Sequence, residues 1–305
     1  MSAAQSLPFD RATIRHRRDR AAATIAEADF LLAHVREALE DRLADVNRRF
    51  ARIAVIGAGD GSIARMLTAR YDPDCLVQVD LSDTMARIAG HPGALTIVGD
   101  EEALPLAEAS FDLIVAPLTL HAVNDLPGAL IQMRRALVPD GLLVAAMLAG
   151  DTLAPLRDAM ARAEIDTVGG ISPRISPMAD LRDLGGLLQR AGLALPVADK
   201  DTLTVRYASP LRLLHDLRAM GESNALTERR RVFLRRDTLM RAMEILAQDH
   251  ADEGGKVPIP FDIAFLHGWA PSPEQQQPLR PGSAKMRLAD ALRTAEHPLR
   301  DDENH

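Results

Sequence analysis

Arg52-Ile53-Ala54-Val55-Ile56-Gly57-Ala58-Gly59-Asp60-Gly61-Ser62 is the stretch that decides the fold. A short apolar run of β-prone residues ends in three alternating glycines, and a helical pattern from Ser62 to Ala69 begins at once. This order brings bare backbone up to a ligand. Glycine reaches positive φ and has no Cβ to block close approach. The helix N-terminus that follows offers unpaired N–H groups and partial positive charge to a carboxylate or phosphate. Taken alone, the loop also reads as a tight strand-to-helix turn with no ligand.

The same alternation continues outward from the loop. Leu76 to Val79 reads as a second strand ending at Asp80, and Ser82 caps the next helix. Leu95 to Val98 is a third strand ending at Gly99-Asp100, and Phe111 to Ala116 is a fourth. A helix over 126–137 stops at Pro139-Asp140-Gly141, before a fifth strand over 142–148. Apolar strands alternating with helices predict βαβ units, hence an α/β, doubly wound, mostly parallel sheet. Upstream, apolar residues from Ile25 to Phe50 recur at spacings of three and four, which predicts an amphipathic helix over 24–50. Downstream, the pattern predicts helices over 151–168, 178–191, 210–220 and 226–249, with strands over 202–207 and 259–269 completing seven. The proline-rich loop over 169–177 reads as a lid or a mobile connector. The chain therefore divides into an N-terminal helical segment (1–50), a ligand-binding core (51–150), a substrate-side region (151–270) and a tail expected to be mobile (271–305).

Two cofactors compete for the loop. A dinucleotide fingerprint, G-x-G-x-x-G, needs a third glycine where this chain has Ser62. The spacing here, G-x-G-x-G, is that of loops that bind S-adenosylmethionine (SAM), and it makes Gly57, Ala58, Gly59 and Gly61 cofactor contacts. Asp80 stands where a carboxylate accepts from both ribose hydroxyls, a role shared with NAD proteins. Asp100 can accept from the adenine amino group, or it can serve as a helix N-cap ahead of Glu101 and Glu102. Leu81 and Glu101, next in the chain to these acids, are counted with them as SAM contacts.

Bulk properties narrow the function. Of 305 residues, 47% are hydrophobic and 26% charged, an ordinary globular balance. The formal net charge of -7 argues against a general nucleic-acid binder. No apolar run approaches the roughly 20 residues of a membrane span, so at most peripheral membrane contact is expected. The single cysteine, Cys75, excludes an intramolecular disulfide and a multi-cysteine metal site. No secretory signal is evident. Arg11, Arg15, Arg17, Arg18 and Arg20 lie early, but Asp10 and Asp19 interrupt them, unlike a transit peptide, so the expectation is cytoplasmic.

Residues 50–150, with Phe111-Asp112-Leu113-Ile114-Val115 and Leu137-Val138-Pro139-Asp140-Gly141, resemble the class I SAM-dependent methyltransferases. A narrower resemblance runs over nearly the whole chain. It is carried by Phe9-Asp10-Arg11, by Leu120-His121-Ala122-Val123-Asn124-Asp125-Leu126-Pro127, by Gly150-Asp151-Thr152-Leu153, by Ile175-Ser176-Pro177 and by Met220-Gly221-Glu222-Ser223-Asn224. Together they resemble the methyltransferase-fold assembly factor of respiratory complex I. That resemblance implies an enzyme bearing on a complex I subunit, by methyl transfer or by the arginine hydroxylation known in that family. The family often has Cys at the position of Ala58 and an aromatic residue at that of Ala122.

Methyl transfer asks the protein mainly for alignment, with a general base where the acceptor carries a proton. His121, after the fourth strand, is the candidate base, or else a plain loop histidine. Asp151 follows the fifth strand and is the second catalytic candidate, with a helix cap as its alternative. Ala116-Pro117-Leu118-Thr119 lacks the Asn/Asp-Pro-Pro-aromatic pattern of adenine amino-methyltransferases. No metal site is expected, since the two-histidine, one-carboxylate pattern of iron oxygenases is not evident around His121, with only Asp125 and Asp151 as carboxylates near it. Arg229, Arg230, Arg231, Arg235 and Arg236 read as the solvated face of a helix, or as a surface for an acidic protein. Alternative functions are an O-methyltransferase for a small molecule or acyl carrier, and a non-catalytic SAM-binding assembly chaperone. The oligomeric state is not encoded in any of these signals.

Overall fold

The computed structural model describes residues 7–275 together with 290 and 294. The glycine loop sits where the sequence places it, between β1 (Arg52–Ile56) and α3 (Ser62–Tyr71). Next come β2 (Cys75–Asp80), α4 (Asp83–Ala89), β3 (Leu95–Val98), β4 (Phe111–Pro117), α5 (Leu126–Ala136) and β5 (Leu137–Ala149). Among the described residues the sheet has seven strands in the order β3-β2-β1-β4-β5-β7-β6. Strands β1 to β5 are parallel, and β7 (Val257–Trp269) is antiparallel to both β5 and β6 (Ala194–Tyr207). The strand order reverses between β1 and β4, and such a switch point opens a crevice at the carboxyl ends of the strands.

The near-continuous apolar runs have a direct cause, because both faces of the sheet are covered. Ile53 and Val55 of β1 pack with Leu113 and Val115 of β4 beneath Leu31, Val35, Leu39 and Leu43 of α2 (Phe30–Ala44). Ala54 and Ile56 face the other way, into a layer closed by Leu130 and Met133 of α5 and by Leu184 and Leu188 of α7 (Leu181–Arg190). The first layer is completed by α6 (Ala154–Val168), α8 (Pro210–Ala219) and α9 (Arg236–Asp249). Pro258 and Pro260 are tolerated in β7 because that end pairs only with β6; pairing with β5 covers Asp262 to Trp269.

Several boundaries differ from the sequence reading. The helix expected over 24–50 is α2 alone, preceded by α1 (Arg11–Ala21), which the periodicity missed. Phe50 is buried not by helical spacing but by edge-on packing against Tyr71 at the end of an extended segment. The helix expected over 226–249 begins only at Arg236, so Arg229 to Arg231 lie on an irregular segment. The strand expected over 202–207 begins at Ala194. Residues 7–271 form one compact unit. From residue 276 the mobility expected of the tail falls, apart from 290 and 294, outside the described residues. Among the described residues no helix is long and apolar enough to cross a membrane.

Candidate functional site

The three glycines are needed for their backbone. Gly57, Gly59 and Gly61 have φ of 89°, 55° and 78°. A Cβ on Gly57 would lie 3.0 Å from Thr119 Cβ, and one on Gly61 would lie 2.6 Å from the Ala89 carbonyl oxygen. Asp80 ends β2 buried beside this loop. Its Oδ1 accepts from the Ser82 N–H at 2.8 Å and its Oδ2 from the Gly59 N–H at 3.3 Å. Burial pushes its pKa above the usual carboxylate range, against the pull of Arg18. Gly57, Gly59 and Asp80 border a cavity of about 80 Å³ that opens to solvent. Ile25, Leu31, Leu32, Met85 and Pro117 supply apolar wall.

The other expected SAM contacts are not at this wall. Ala58 and Gly61 shape the loop. Leu81 packs into a small cluster with Phe9, Ile14, Ala225 and Leu226. Asp100 and Glu101 are engaged by arginines of α1. Arg11 binds both carboxylates, and Arg18 Nη1 donates to Glu101 Oε1 at 2.9 Å. Arg18 Nη2 donates to Thr119 Oγ1 at 3.0 Å, and that hydroxyl donates to Glu101. Glu101 is 1% exposed; burial would raise its pKa, but Arg18, Arg11 and Thr119 bring it down to about 2. Burial likewise opposes the charge of Arg18, yet Glu101, Asp80 and Glu222 hold its pKa above the usual guanidinium value. Arg18 lines the cavity itself. Arg11 and Arg18, to which the sequence reading gave no site role, are thus interior parts of the site. Their only sequence signal was the conjunction of Phe9-Asp10-Arg11 with the strand-end acids.

His121, expected as a base, is buried in a short 3-10 turn after β4. Its Nε2 lies 3.1 Å from Glu222 Oε2, and its buried Nδ1 has no hydrogen-bond partner among the described residues. Burial works against ionisation of Glu222, but His121 and Arg18 lower its pKa. The pair, with Leu148, borders both the first cavity and a second of about 200 Å³. This second cavity is mainly apolar, with Leu153, Met160, Met178, Leu214 and Leu234 in its wall, and its charged lining is His121, Glu222 and Arg174. Arg174 is already bonded to Glu164, which is 1% exposed. Glu222 was not singled out from sequence; it lay unassigned inside the Met220-to-Asn224 stretch.

Asp151 is not brought to either cavity. It is exposed on a turn, and its N–H donates to Asp262 Oδ2 at 3.0 Å. The neighbouring Thr152 is buried and accepts from the Asp262 N–H at 2.9 Å. The pair locks the ends of β5 and β7 together, which corrects the expectation that it faces the cleft. The basic cluster is corrected in part as well, since Arg229 is no solvated helix residue but bonds Asp10 and Thr13 of the first helical turn. Among the described residues no group of three or more His, Cys, Asp or Glu is placed to hold a metal ion.

The residues present fit the amino-acid and ribose parts of SAM. A side-chain-free loop edge stands beside a buried carboxylate whose oxygens each keep a further lone pair for a hydroxyl donor. Gly57, Gly59 and Asp80 would hold these parts, with Leu32 and Met85 against apolar surface.

The comparisons with known proteins agree with this geometry. Residues 54–145 match the model of a methyltransferase domain. The mitochondrial arginine-hydroxylase NDUFAF5 of Danio rerio is 36% identical over 285 residues, covering 92% of this chain and 88% of that protein. The malonyl-[acyl-carrier protein] O-methyltransferase of Laribacter hongkongensis is 31% identical, covering 90% of this chain and 94% of that protein. The structure of Haemonchus contortus phosphoethanolamine N-methyltransferase 2, in complex with S-adenosyl-L-methionine, superposes with a TM-score of 0.54 at 14% identity, covering 85% of this chain and 60% of that one. It attests the fold alone. The arginine-hydroxylase relatives are mitochondrial, which overturns the cytoplasmic expectation. That expectation rested on Asp10 and Asp19, yet Asp10 caps α1 and Asp19 accepts from the Ser82 hydroxyl, so both serve folding and carry no address. With 36% of residues shared over 92% of its length, the chain belongs to the methyltransferase-fold family of the arginine-hydroxylase NDUFAF5.

Proposed function

We propose that this chain binds SAM in the first cavity and modifies an arginine side chain of a protein, a respiratory complex I subunit, seated in the second. Hydroxylation is the reaction that the relatives' name carries. The observation behind this reading is Glu222, among the described residues the one carboxylate in the wall of a mainly apolar cavity, on the side it shares with the first. An arginine is an aliphatic stem ending in a planar cationic fork. The apolar wall suits the stem, and a carboxylate is the natural partner of the fork. Glu222 Oε1 accepts no hydrogen bond among the described residues, which leaves it for the incoming guanidinium. His121 holds the other oxygen and so orients the carboxylate. When bound, SAM would supply a sulfonium-activated methyl group for methyl transfer; hydroxylation would instead need dioxygen and a two-electron reductant as co-reactants, the second oxygen atom leaving as water.

A second reading, O-methylation of an acyl-carrier substrate, is favoured by the 31% identity to the malonyl-carrier enzyme. A free acyl carboxylate would meet Glu222 in the same cavity, and the cation there, Arg174, is already paired. Mass spectrometry of complex I purified from wild-type and deletion cells tests the first reading. It should show one oxygen, or one methyl, missing from a defined arginine in the deletion strain. Restoration by the wild-type gene but not by Glu222→Gln is expected, and identical masses throughout would overturn the proposal.

A further inference from the structure

A third concavity, of about 430 Å³, opens beside the second cavity and shares Arg174 and Asn224 with it. Its remaining wall is Arg17, Arg229, Arg230, Arg231, Val232 and Phe233, with no carboxylate among them. The chain as a whole carries a net charge of -7, so this concentration of cations is local. Two of the arginines are fixed, Arg174 by Glu164 and Arg229 by Asp10 and Thr13. Two are free to pair, since Arg230 and Arg231 are exposed and form no ion pair among the described residues. Arg17 is partly buried, and its buried Nη1 has no hydrogen-bond partner among the described residues. Beside them Phe233 is 100% exposed and Val232 67%. An exposed aromatic amid unpaired guanidinium groups is a surface that gains from being covered by an anionic partner.

We propose that this cleft docks an acidic segment of the protein substrate, flanking the arginine that enters the second cavity. The proposal rests on the arginine reading above and adds to it the character of the neighbouring sequence. Continuity with the second cavity argues for a peptide, because a chain with its arginine inserted past Arg174 and Asn224 must run its adjacent residues across this cleft. A concave, arginine-walled site matches carboxylates by bidentate pairing, and Phe233 supplies an apolar anchor beside them. A flat lipid surface would meet the cleft only at its rim.

The test uses the full chain and labelled synthetic peptides, with binding read by fluorescence anisotropy at low and high salt. One peptide has a central arginine with an acidic flank, a second has the same arginine with a neutral amide flank, and a third keeps the acidic flank but has citrulline for arginine. The acidic arginine peptide should bind about tenfold tighter than the neutral one, with the advantage shrinking as salt rises. The double variant Arg230→Glu, Arg231→Glu should erase that advantage and leave neutral-peptide binding unchanged. Phe233→Ala, at a fully exposed position, should weaken acidic-peptide binding without altering the melting temperature. Equal binding of the acidic and neutral peptides, or an advantage that survives the double reversal, overturns the docking proposal. So does a result in which anionic phosphatidylglycerol vesicles, and not acidic peptides, respond to the variants. If the citrulline peptide binds as tightly as the arginine peptide and still needs Arg230 and Arg231, docking stands and the arginine reading fails. If the neutral arginine peptide binds in a Glu222-dependent way with no preference for acids, the arginine reading stands and docking fails.

Discussion

The two cavities that meet at His121 and Glu222 are built in opposite ways. The first is made from strand ends of the parallel half of the sheet and is braced by charge, with Asp80, Arg18, Glu101 and Thr119 in mutual contact. The second is made from the ends and connections of α6, α8 and the segments around Met178 and Leu234, and it is braced by apolar packing. A fixed charged frame suits a ligand that is always the same molecule, because preorganised polar groups reward a single geometry. An apolar wall with one carboxylate suits a flexible side chain, whose stem needs area rather than direction. On the proposed reading, the cofactor is recognised on one side of the pair and the substrate side chain on the other.

The contrast can be broken most severely at Glu101. Glu101→Gln leaves Arg11 and Arg18 buried beside an uncharged amide and should cost about 3–5 kcal/mol of unfolding free energy. Urea denaturation would measure it, and a loss near zero would mean the charged frame does not brace the fold. The same residue predicts a pH dependence. Its folded pKa of about 2 lies below the unfolded value of 4.5, so its stabilisation is complete above about pH 4.5 and is lost as pH falls toward 2. The variant should lose that part of the acid slope. Next in size, Asp80→Ala should weaken SAM binding about a hundredfold by calorimetry, the scale of lost hydrogen bonds to a charged acceptor; unchanged affinity would remove the ribose role. Leu214→Trp fills the second cavity only, and should reduce arginine-peptide binding about tenfold while SAM affinity stays the same. A parallel loss of both would show that the cavities are not separable. Smallest of all, Asp151→Ala removes an exposed carboxylate outside both cavities and should change stability by less than about 0.5 kcal/mol with activity retained. A large loss of activity there would return Asp151 to the chemistry.

The same contrast explains what was legible in the sequence. The first cavity is encoded in short contiguous signals: a strand, its glycines and an acid at the end of the next strand. Periodicity and turn chemistry find such signals directly, so the mostly parallel sheet and the position of the glycine loop between β1 and α3 could be anticipated. Glu222 could not be assigned a role in this way, because its partner His121 is 101 residues earlier and nothing local marks the approach. Arg18 and Arg11 were hidden for a related reason. Charged residues on a helix of low apolar content read as solvent-facing, and only tertiary contact reveals that these two point inward. Asp151 misled because a residue following a strand at the correct end of a parallel sheet satisfies the rule for site residues. Here β7 runs antiparallel beside β5, and Asp262 occupies the turn.

The contacts of the first described residues make α1 part of the frame of the site. Pro8 accepts a hydrogen bond from the Thr227 N–H, Phe9 is clasped by Asn124, and Arg11 and Arg18 reach the strand-end acids. Severing the chain between α1 and α2 would release the cations that neutralise Glu101, so the amino-terminal helix holds the site together as a clasp holds a hinge.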